Sequence, residues 1–374
     1  MNGLIHCLVL IIIFDHDVLS YTDDTDLNAT QLISKYGYPV EIHEVETEDG
    51  YLLDLFRIPY GREESNGTPV IINHGLMGSA ENFIVMGPNK SLAYMLADHG
   101  YDVWLCNARG SMHSRKHKTL NPDTDAEFWK FTWHEIGVYD LPATIDYILD
   151  ITNTQKVHYI GHSQGTTVFF VLCSERPEYN EKIKVMIAMA PSAILRHFKQ
   201  PVLKMIAPFY PMLERLSEQL GVYELPPFIS SKDVQTLGKA LCGKNRILPF
   251  NILCQLLVLM IEPNDEELDK SVIPLAASFG TGGGSVRQAL HYAQILQAGV
   301  FRNYDWGPKL NMKKIWFCYA TTDVEILAKL LPNVVELYKV PSKTWTHMDF
   351  LWAKHIDVLV HDKIINIMKK YDYS

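Results

Sequence analysis

The stretch from Val157 to Gly165 constrains the fold most, because an apolar, β-branched run leads straight into a G-x-S-x-G pattern. This order is typical of a sharp strand-to-helix turn that holds a serine hydroxyl, here that of Ser163, clear of the backbone. Gly161 and Gly165 have a mechanical role in such a turn, since side chains there would collide with the neighbouring strand and helix. The pattern is short and also fits a plain turn with a solvated serine, so the flanking sequence must decide.

Apolar segments of strand length alternate with helical patterns on both sides of this turn. Two alternating runs around Gly50 predict an antiparallel hairpin. Asp140 is a candidate cap for one of the helices. Strands that alternate with helices predict an α/β fold with a mostly parallel central sheet flanked by helices. Besides the hairpin and the run before Ser163, strands are predicted at 70–72, 103–106, 184–189, 315–319 and 334–340, and helices at 91–99, 133–150, 166–173, 327–331 and 356–370.

The pattern changes between residues 193 and 307, where the chain is mostly helical, rich in Leu, Met and Pro, and without a clear strand. We therefore predict one α/β core, formed by 21–192 and 308–374, with an α-helical cap or lid inserted at 193–307. Some apolar residues of this insertion fit two interpretations equally, as its core or as a face toward an apolar substrate. They are Met205, Met212, Leu213 and Leu216.

The N-terminal segment is predicted to be a secretory signal peptide, at residues 1–20, because an apolar run too short to cross a bilayer is followed by small residues. Three glycosylation sequons follow, at Asn28, Asn66 and Asn89, and they fit a secretory route. No second apolar span of transmembrane length occurs in the sequence. We therefore expect a glycoprotein of the secretory pathway with no integral membrane span.

The cysteines indicate which thiols stay free and which can form a disulfide, and the net charge bears on the class of binding partner. Of the 6 cysteines, one lies in the predicted signal peptide. Cys106, Cys173 and Cys318 lie in apolar patterns and are expected to be buried free thiols. Cys242 and Cys254 bracket a polar stretch elsewhere and are the best candidates for a disulfide in an oxidising compartment. The formal net charge of −9 argues against a nucleic-acid partner.

Two patterns resemble ligand sites but lack a required residue. His134-Glu135 is not followed by the second histidine of H-E-x-x-H, because position 138 is Val138, and this excludes a zinc peptidase. The Gly-rich segment 280–285 has neither the lysine nor the preceding strand of a phosphate-binding loop, so we expect a flexible loop before a helix. We predict no metal and no cofactor.

The residues required for acyl transfer follow the predicted strands in a consistent order. Such chemistry needs a nucleophile, a base, a carboxylate that orients the base, and an oxyanion hole. Ser163 is the predicted nucleophile. His347, on the loop after the last predicted strand, is the predicted base, and Asp323, at the end of the strand before, is the predicted orienting carboxylate. The order Ser, Asp, His is a known one for such triads.

The oxyanion hole requires two backbone N–H groups that face the developing negative charge. Gln164, directly after the nucleophile, is predicted to supply one of them. The loop after the strand at 70–72 is predicted to supply the other through Leu76. His74, in the same loop, is expected to be structural, with its ring bonded to nearby backbone.

Further motifs extend over nearly the whole mature chain. They are Asn73-His74-Gly75-Leu76, Asn107-Ala108-Arg109-Gly110, Phe128-Trp129-Lys130-Phe131-Thr132-Trp133-His134-Glu135-Ile136-Gly137, Tyr139-Asp140-Leu141-Pro142-Ala143, Gly161-His162-Ser163-Gln164-Gly165, the spaced set His291-Tyr292, Gly299, Phe301 and Tyr304-Asp305, and His347-Met348-Asp349-Phe350-Leu351-Trp352. With them the sequence resembles the acid lipase family of α/β-hydrolases, which includes gastric and lysosomal acid lipases and their insect relatives.

The resemblance implies a secreted or lysosomal lipase that acts on neutral lipid esters at a lipid–water interface, with triacylglycerols and steryl esters as the two candidate substrates. It implies the α/β-hydrolase fold, a helical cap and lid over the active site, and a cap disulfide between Cys242 and Cys254. No cofactor and no obligate protein partner are implied.

One segment departs from the family pattern. Such lipases continue from the catalytic Asp through a short Leu-Ala-containing loop to a second Asp-Val, whereas Asp323 runs directly into Val324. Asp323 is therefore either the catalytic Asp or the second Asp in its place. A displaced carboxylate would weaken catalysis without abolishing the fold. The alternative to an active lipase is thus a lipase-like protein that binds or carries lipid.

Overall fold

The computed structural model describes residues 24–61, 67–195, 201–226, 236–238, 266–299, 301–304, 324, 328, 334–342 and 344–372. Several predictions concern positions outside these residues. They are the signal peptide at 1–20, the sequon at Asn66, the cysteines Cys242, Cys254 and Cys318, the carboxylate Asp323, the strand at 315–319 and most of the helix at 327–331.

The main sheet has seven strands in the order β1-β2-β4-β3-β6-β7, with the short β5 paired to β2. The hairpin of β1 and β2 and the pairing of β2 with β4 are antiparallel, whereas β4, β3, β6 and β7 are parallel. The predicted α/β fold is thereby confirmed. The strands are β1 (Glu41–Glu46), β2 (Tyr51–Ile58), β3 (Pro69–Asn73), β4 (Asp102–Leu105), β5 (Lys116–His117), β6 (Val157–His162) and β7 (Ile183–Met189).

Helices cover both faces of this sheet. The helix α3 continues through a π-helical turn at Ile136–Asp140 into α4, and a second π-helical turn at Asp357–His361 precedes α11. The helices are α1 (Ala29–Lys35), α2 (Leu92–Asp98), α3 (Trp133–Glu135), α4 (Leu141–Thr152), α5 (Gln164–Glu175), α6 (Pro201–Ile206), α7 (Tyr210–Leu220), α8 (Ile273–Phe279), α9 (Val286–Ala298), α10 (Asp349–Trp352) and α11 (Asp362–Tyr371).

The parallel strands are apolar without interruption because both of their faces are buried. Val70 and Ile72 of β3 point to one hydrophobic core, which α2 and α11 also line, and Ile71 points to the other, which α4 and α5 line. Successive side chains of a strand alternate between the two faces, so each strand contributes to both cores. A continuous apolar run is therefore typical of a strand in the middle of such a sheet.

The described part of 193–307 lies beside the main sheet and contains α6, α7, α8 and α9. It also contains a two-residue ribbon of β8 (Glu224–Leu225) and β9 (Gly284–Ser285), which the expectation of no strand missed. The segment 280–285 is thus not a free loop, because β9 is paired and Ser285 caps α9. Within the described residues, no helix is long and apolar enough to cross a membrane.

Two predictions about local structure are wrong. Asp140 does not cap a helix, because Thr132 and Glu135 form a capping box at the start of α3 and Asp140 lies inside the continuous helix. Residues 334–340 form no strand, although their pattern is apolar. Val335 and Leu337 are more than half exposed, so the pattern there does not mark a buried edge of the sheet.

Arg109 explains why Asp140 is buried. Its side chain is 1% exposed and donates from Nε to Asp140 Oδ1 at 2.6 Å and from its two terminal nitrogens to Asp49 at 2.6 and 2.8 Å. The guanidinium carbon also lies 3.9 Å from the centre of the Tyr51 ring. Burial raises the pKa of Asp140 to about 6, and Arg109 opposes that rise. The charged carboxylate is stable there because this partner is present.

Replacing Arg109 with methionine should lower the free energy of unfolding by about 3–5 kcal/mol, because it leaves the Asp140 carboxylate buried without its charged partner, with only the backbone N–H of residue 109 bonded to it. Urea unfolding followed by circular dichroism measures the change. Arg115→Met is the matched control: Arg115 pairs with Glu224 and Asp123 at a more exposed position, and its loss should cost less than about 1 kcal/mol. Equal losses for the two variants would contradict the assignment.

Candidate active site

Ser163 occupies the strained turn between β6 and α5, as the pattern predicts. Its backbone has φ 52° and ψ −115°, and its N–H donates to Met189 O of β7 at 3.0 Å. A Cβ at Gly165 would lie 2.3 Å from Asn73 O, and one at Gly161 would lie 2.6 Å from the carbonyl carbon of Gly165. Both positions therefore require glycine, because strand β3 and helix α5 approach the turn too closely for a side chain.

The loop after β3 lies directly beside this turn. Strands β3 and β6 are parallel and pair Asn73 with Gly161, so both chains leave the same edge of the sheet. A Cβ at Gly75 would lie 3.0 Å from Ser163 Cβ. In the described structure, the N–H groups of Leu76 and Gln164 donate no hydrogen bond. Gln164 also begins α5, whose N-terminus favours negative charge.

His74 fixes the path of that loop, which is the structural role predicted for it. Its Nδ1 donates to Gly75 O at 2.8 Å, and its Nε2 accepts from the Ala108 N–H at 3.1 Å. Acceptance at Nε2 requires the neutral ring. Burial lowers the pKa of His74 to about 4, so the ring stays neutral down to low pH.

His347 comes close to the turn through its backbone and its ring. The His162 Nε2 donates to His347 O at 3.2 Å, and the two ring centres are 4.9 Å apart. Desolvation lowers the pKa of His347, although part of its side chain is exposed. Among the described residues, no hydrogen bond joins His347 to Ser163. The structure thus brings the predicted base beside the turn, without the contact that proton transfer requires.

Ser192 is the side chain that bonds to Ser163 instead, and the sequence analysis missed it. The two hydroxyl oxygens are 3.3 Å apart, and Ser192 also donates to Ala190 O at 3.3 Å, which leaves Ser163 as the donor of the pair. Ser192 follows β7, so it reaches Ser163 across neighbouring strands. The signal that would have found it is its position just past the carboxyl end of a strand adjacent to β6.

Asp349 lies two residues after His347, is fully buried and bonds to Thr346 through one carboxylate oxygen, while the other, Oδ1, has no hydrogen-bond partner among the described residues. Its Oδ2 accepts from the N–H and the hydroxyl of Thr346 at 2.6 and 2.7 Å. These bonds cap the turn that precedes α10, as expected for a structural carboxylate. Asp323, the predicted orienting carboxylate, lies outside the described residues.

The remaining predictions concern glycosylation sites, free cysteines and metal ligands. Asn28 and Asn89 are exposed, as acceptors of sugar must be. Cys106 is buried and Cys173 is partly buried; both are free thiols, and burial raises the pKa of each. Within the described ranges, no three His, Cys, Asp or Glu side chains gather as metal ligands would.

Models of known families match two overlapping parts of the chain. A partial α/β-hydrolase lipase region matches residues 29–87, and the α/β-hydrolase fold matches residues 68–222. The second match contains β3, the turn at Ser163 and α5. The first contains the loop of Leu76.

Named proteins are similar over most of the chain. Lipase 3 of Drosophila melanogaster is 38% identical over 90% of this chain and 91% of its own length. The lysosomal acid lipase/cholesteryl ester hydrolase of Homo sapiens is 34% identical over 99% of this chain and 98% of its own. The gastric triacylglycerol lipase of Bos taurus is 34% identical over 92% of each chain.

A solved structure from Sulfolobus solfataricus, described as a candidate lipase, shares the fold. It has a TM-score of 0.52 and 15% sequence identity, and it covers 89% of this chain and 99% of its own. At this identity the likeness concerns the fold alone.

Proposed function

The chain belongs to the gastric and lysosomal acid lipase family of α/β-hydrolases and is a serine ester hydrolase, and from this we propose that it hydrolyses neutral lipid esters through an acyl-enzyme on Ser163. One observation carries the proposal. Ser163 sits in a strained backbone turn, beside two N–H groups that make no hydrogen bond in the described structure. Strain of this kind persists where function requires it.

In the proposed mechanism, the Ser163 hydroxyl turns from Ser192 toward His347 and attacks the ester carbonyl carbon. His347 takes the hydroxyl proton as the bond forms, and the carbonyl oxygen becomes an oxyanion that the Leu76 and Gln164 N–H groups stabilise. The oxyanion then collapses, the alcohol leaves with the proton from His347, and the acyl group stays on Ser163. Water, deprotonated by His347, attacks the acyl-enzyme and releases the fatty acid.

The electrostatics of His347 are compatible with activity in mildly acidic solution. A base must be neutral to accept a proton, so activity rises as the pH rises through its pKa. Because desolvation holds the pKa of His347 below its ordinary value, the neutral form persists to lower pH than for a free histidine. We propose Asp323 as the carboxylate that orients His347.

The proposed substrate class is supported by an exposed apolar face on α6, α7 and the 3-10 turn between them, which we name the cap face. Of the four residues that fit two interpretations, Met205, Met212 and Leu216 are exposed, which favours a face toward substrate, whereas Leu213 is half-buried. An exposed apolar surface of this kind is typical of a lipid or protein contact. The cap face comprises Met205, Ile206, Phe209, Met212, Leu216 and Leu220. We place this face in the cap at 193–307 and propose that it meets the lipid surface.

The cellular setting follows from the same family and remains part of the proposal. Relatives named gastric and lysosomal lipases support a secreted or lysosomal protein. The exposed Asn28 and Asn89 support glycosylation. We further propose that the cap carries the Cys242–Cys254 disulfide and that catalysis requires no cofactor.

The substrate class is tested by measuring fatty acid release from emulsified triacylglycerol and from cholesteryl ester. Wild-type protein should hydrolyse at least one of them. Met212→Ser within the cap face should lower that rate severalfold while leaving the hydrolysis of soluble p-nitrophenyl acetate unchanged. Ile151→Ser, which changes an exposed apolar residue on α4, is the control. Lipid binding without hydrolysis of any ester would contradict the proposal and indicate a carrier.

A further inference from the structure

The oxyanion loop, defined here as residues 74–79, is held between two other segments. From one side, the Ala80 N–H directly after the loop donates to Asn107 Oδ1 at 3.1 Å. From the other side, the Gly282 N–H donates to Met77 O at 2.7 Å. The two segments also meet each other, because the Met112 N–H donates to Gly282 O at 2.6 Å. The position of the loop therefore depends on where the segment 107–114 lies.

An ion pair joins the 3-10 turn directly after the loop to that same segment. His113 Nε2 lies 2.6 Å from Glu81 Oε1, and the side chains are 20% and 4% exposed. Glu81 is the second residue of the short 3-10 turn Ala80–Phe83 that follows the oxyanion loop, and His113 directly follows Met112. The other carboxylate oxygen, Oε2, has no hydrogen-bond partner in the described structure. His113 is the charged partner of Glu81, and the Ser79 hydroxyl and the Glu81 backbone also hydrogen-bond to this carboxylate.

We propose that Glu81 and His113 are a positioning pair for ester hydrolysis, which holds the oxyanion loop so that the Leu76 N–H faces the oxyanion. This inference rests on the proposed function and adds two residues to it. Neither residue touches the ester. Both act through the backbone of the loop, which they tie to the segment 107–114.

The pair can hold the oxyanion loop in place because Glu81 is buried. A carboxylate that is buried without a partner is costly and is relieved by protonation or by movement toward water. Movement of Glu81 would carry the 3-10 turn with it and displace the loop, which ends two residues before Glu81. Because hydrogen-bond strength to an oxyanion depends on donor distance, a small shift of the Leu76 N–H lowers the rate.

The charges around the pair set the pH range in which it is intact. Burial opposes the charging of His113, but Glu81 outweighs burial and raises the pKa of His113 above its ordinary value. Burial likewise opposes the charging of Glu81, but His113 outweighs it and lowers the pKa of Glu81. Asp54, Lys116 and the neutral His74 are the other titratable groups that act on the pair.

The signs of these shifts give a window of pH. The stabilisation from Glu81 is lost as the pH falls through its lowered pKa, and that from His113 is lost as the pH rises through its raised pKa. The pair is therefore intact in acidic to near-neutral solution. Above the raised pKa of His113, the histidine is neutral and the ion pair that holds the loop is lost.

The test compares His113→Phe and His113→Gln with the wild-type protein in hydrolysis of p-nitrophenyl butyrate. His113→Phe leaves Glu81 buried without its charged partner, and should lower kcat roughly tenfold or more with little change in KM, as expected for a weakened oxyanion hole. His113→Gln keeps an uncharged donor at every pH. The ratio of wild-type kcat to that of His113→Gln should therefore fall toward one as the pH rises through the raised pKa of His113.

Two further variants separate positioning from a general loss of stability. His43→Gln removes a similar but more exposed pair, His43–Glu41 on β1, and should leave kcat unchanged. Glu81→Leu combined with His113→Phe removes both charges and should recover part of the activity that His113→Phe loses.

An unchanged kcat in His113→Phe, or a kcat ratio for His113→Gln that does not vary with pH, would overturn the positioning pair while the wild-type enzyme stays active. A wild-type protein that hydrolyses no ester would instead overturn the proposed function, and the positioning role with it.

Discussion

Ser163→Ala should lower kcat for p-nitrophenyl butyrate by roughly 10⁶-fold, because no acyl-enzyme forms without the hydroxyl. The variant should unfold at the same urea concentration as the wild-type protein, since only a weak hydroxyl contact with Ser192 is lost. Initial rates and urea unfolding measure the two quantities. Ser192→Ala is the matched control: it removes the neighbouring hydroxyl, and its kcat should stay within about tenfold of wild type, because Ser192 is not the nucleophile.

Two results would contradict this assignment of the nucleophile. Either Ser163→Ala keeps a substantial part of the activity, or Ser192→Ala loses as much as Ser163→Ala does. The second result would assign an essential role to the hydroxyl that lies 3.3 Å away.

Asp323→Asn should lower kcat by about 10⁴-fold, because an amide in place of the orienting carboxylate favours the wrong tautomer of the base. Asp349→Asn is the matched control, since Asp349 is the other carboxylate close to His347 in sequence. The Asp349 Oδ2 accepts two hydrogen bonds from Thr346, so replacing this carboxylate should lower the free energy of unfolding more than it lowers kcat. Steady-state rates over a range of pH compare the two variants.

The reverse pattern, with Asp349→Asn inactive and Asp323→Asn active, would move the orienting role to Asp349. It would also mean that the short segment after Asp323 displaces that carboxylate from the site. Comparable activity in both variants would indicate that no carboxylate orients His347.

The parts of the fold that the sequence predicts well depend on local patterns. Val70 to Ile72 is a continuous apolar run, and such a run is stable as a strand only where both faces are buried. Gly161 and Gly165 mark a turn that excludes side chains, as the contact distances confirm. Because parallel strands end at the same edge, the order of the chain already placed Leu76 near Ser163.

The parts that could not be predicted depend on contacts between distant residues. Asp140 has the sequence context of a cap, but its partner Arg109 lies 31 residues earlier and draws it into the core. Glu81 and His113 are 32 residues apart and belong to no motif. Residues 334–340 have the composition of a strand, yet an apolar run becomes a strand only where a neighbouring strand pairs with it.

The central claim is that Ser163 is the nucleophile of an ester hydrolase, and labelling with an alkyl p-nitrophenyl phosphonate tests it most directly. The reagent phosphonylates an activated serine and releases p-nitrophenol. We predict one phosphonyl group per chain, mapped by mass spectrometry to Ser163, with activity lost in proportion to labelling and no label in Ser163→Ala. Label on another residue, such as Ser192, or continued hydrolysis by a fully labelled protein would contradict the claim.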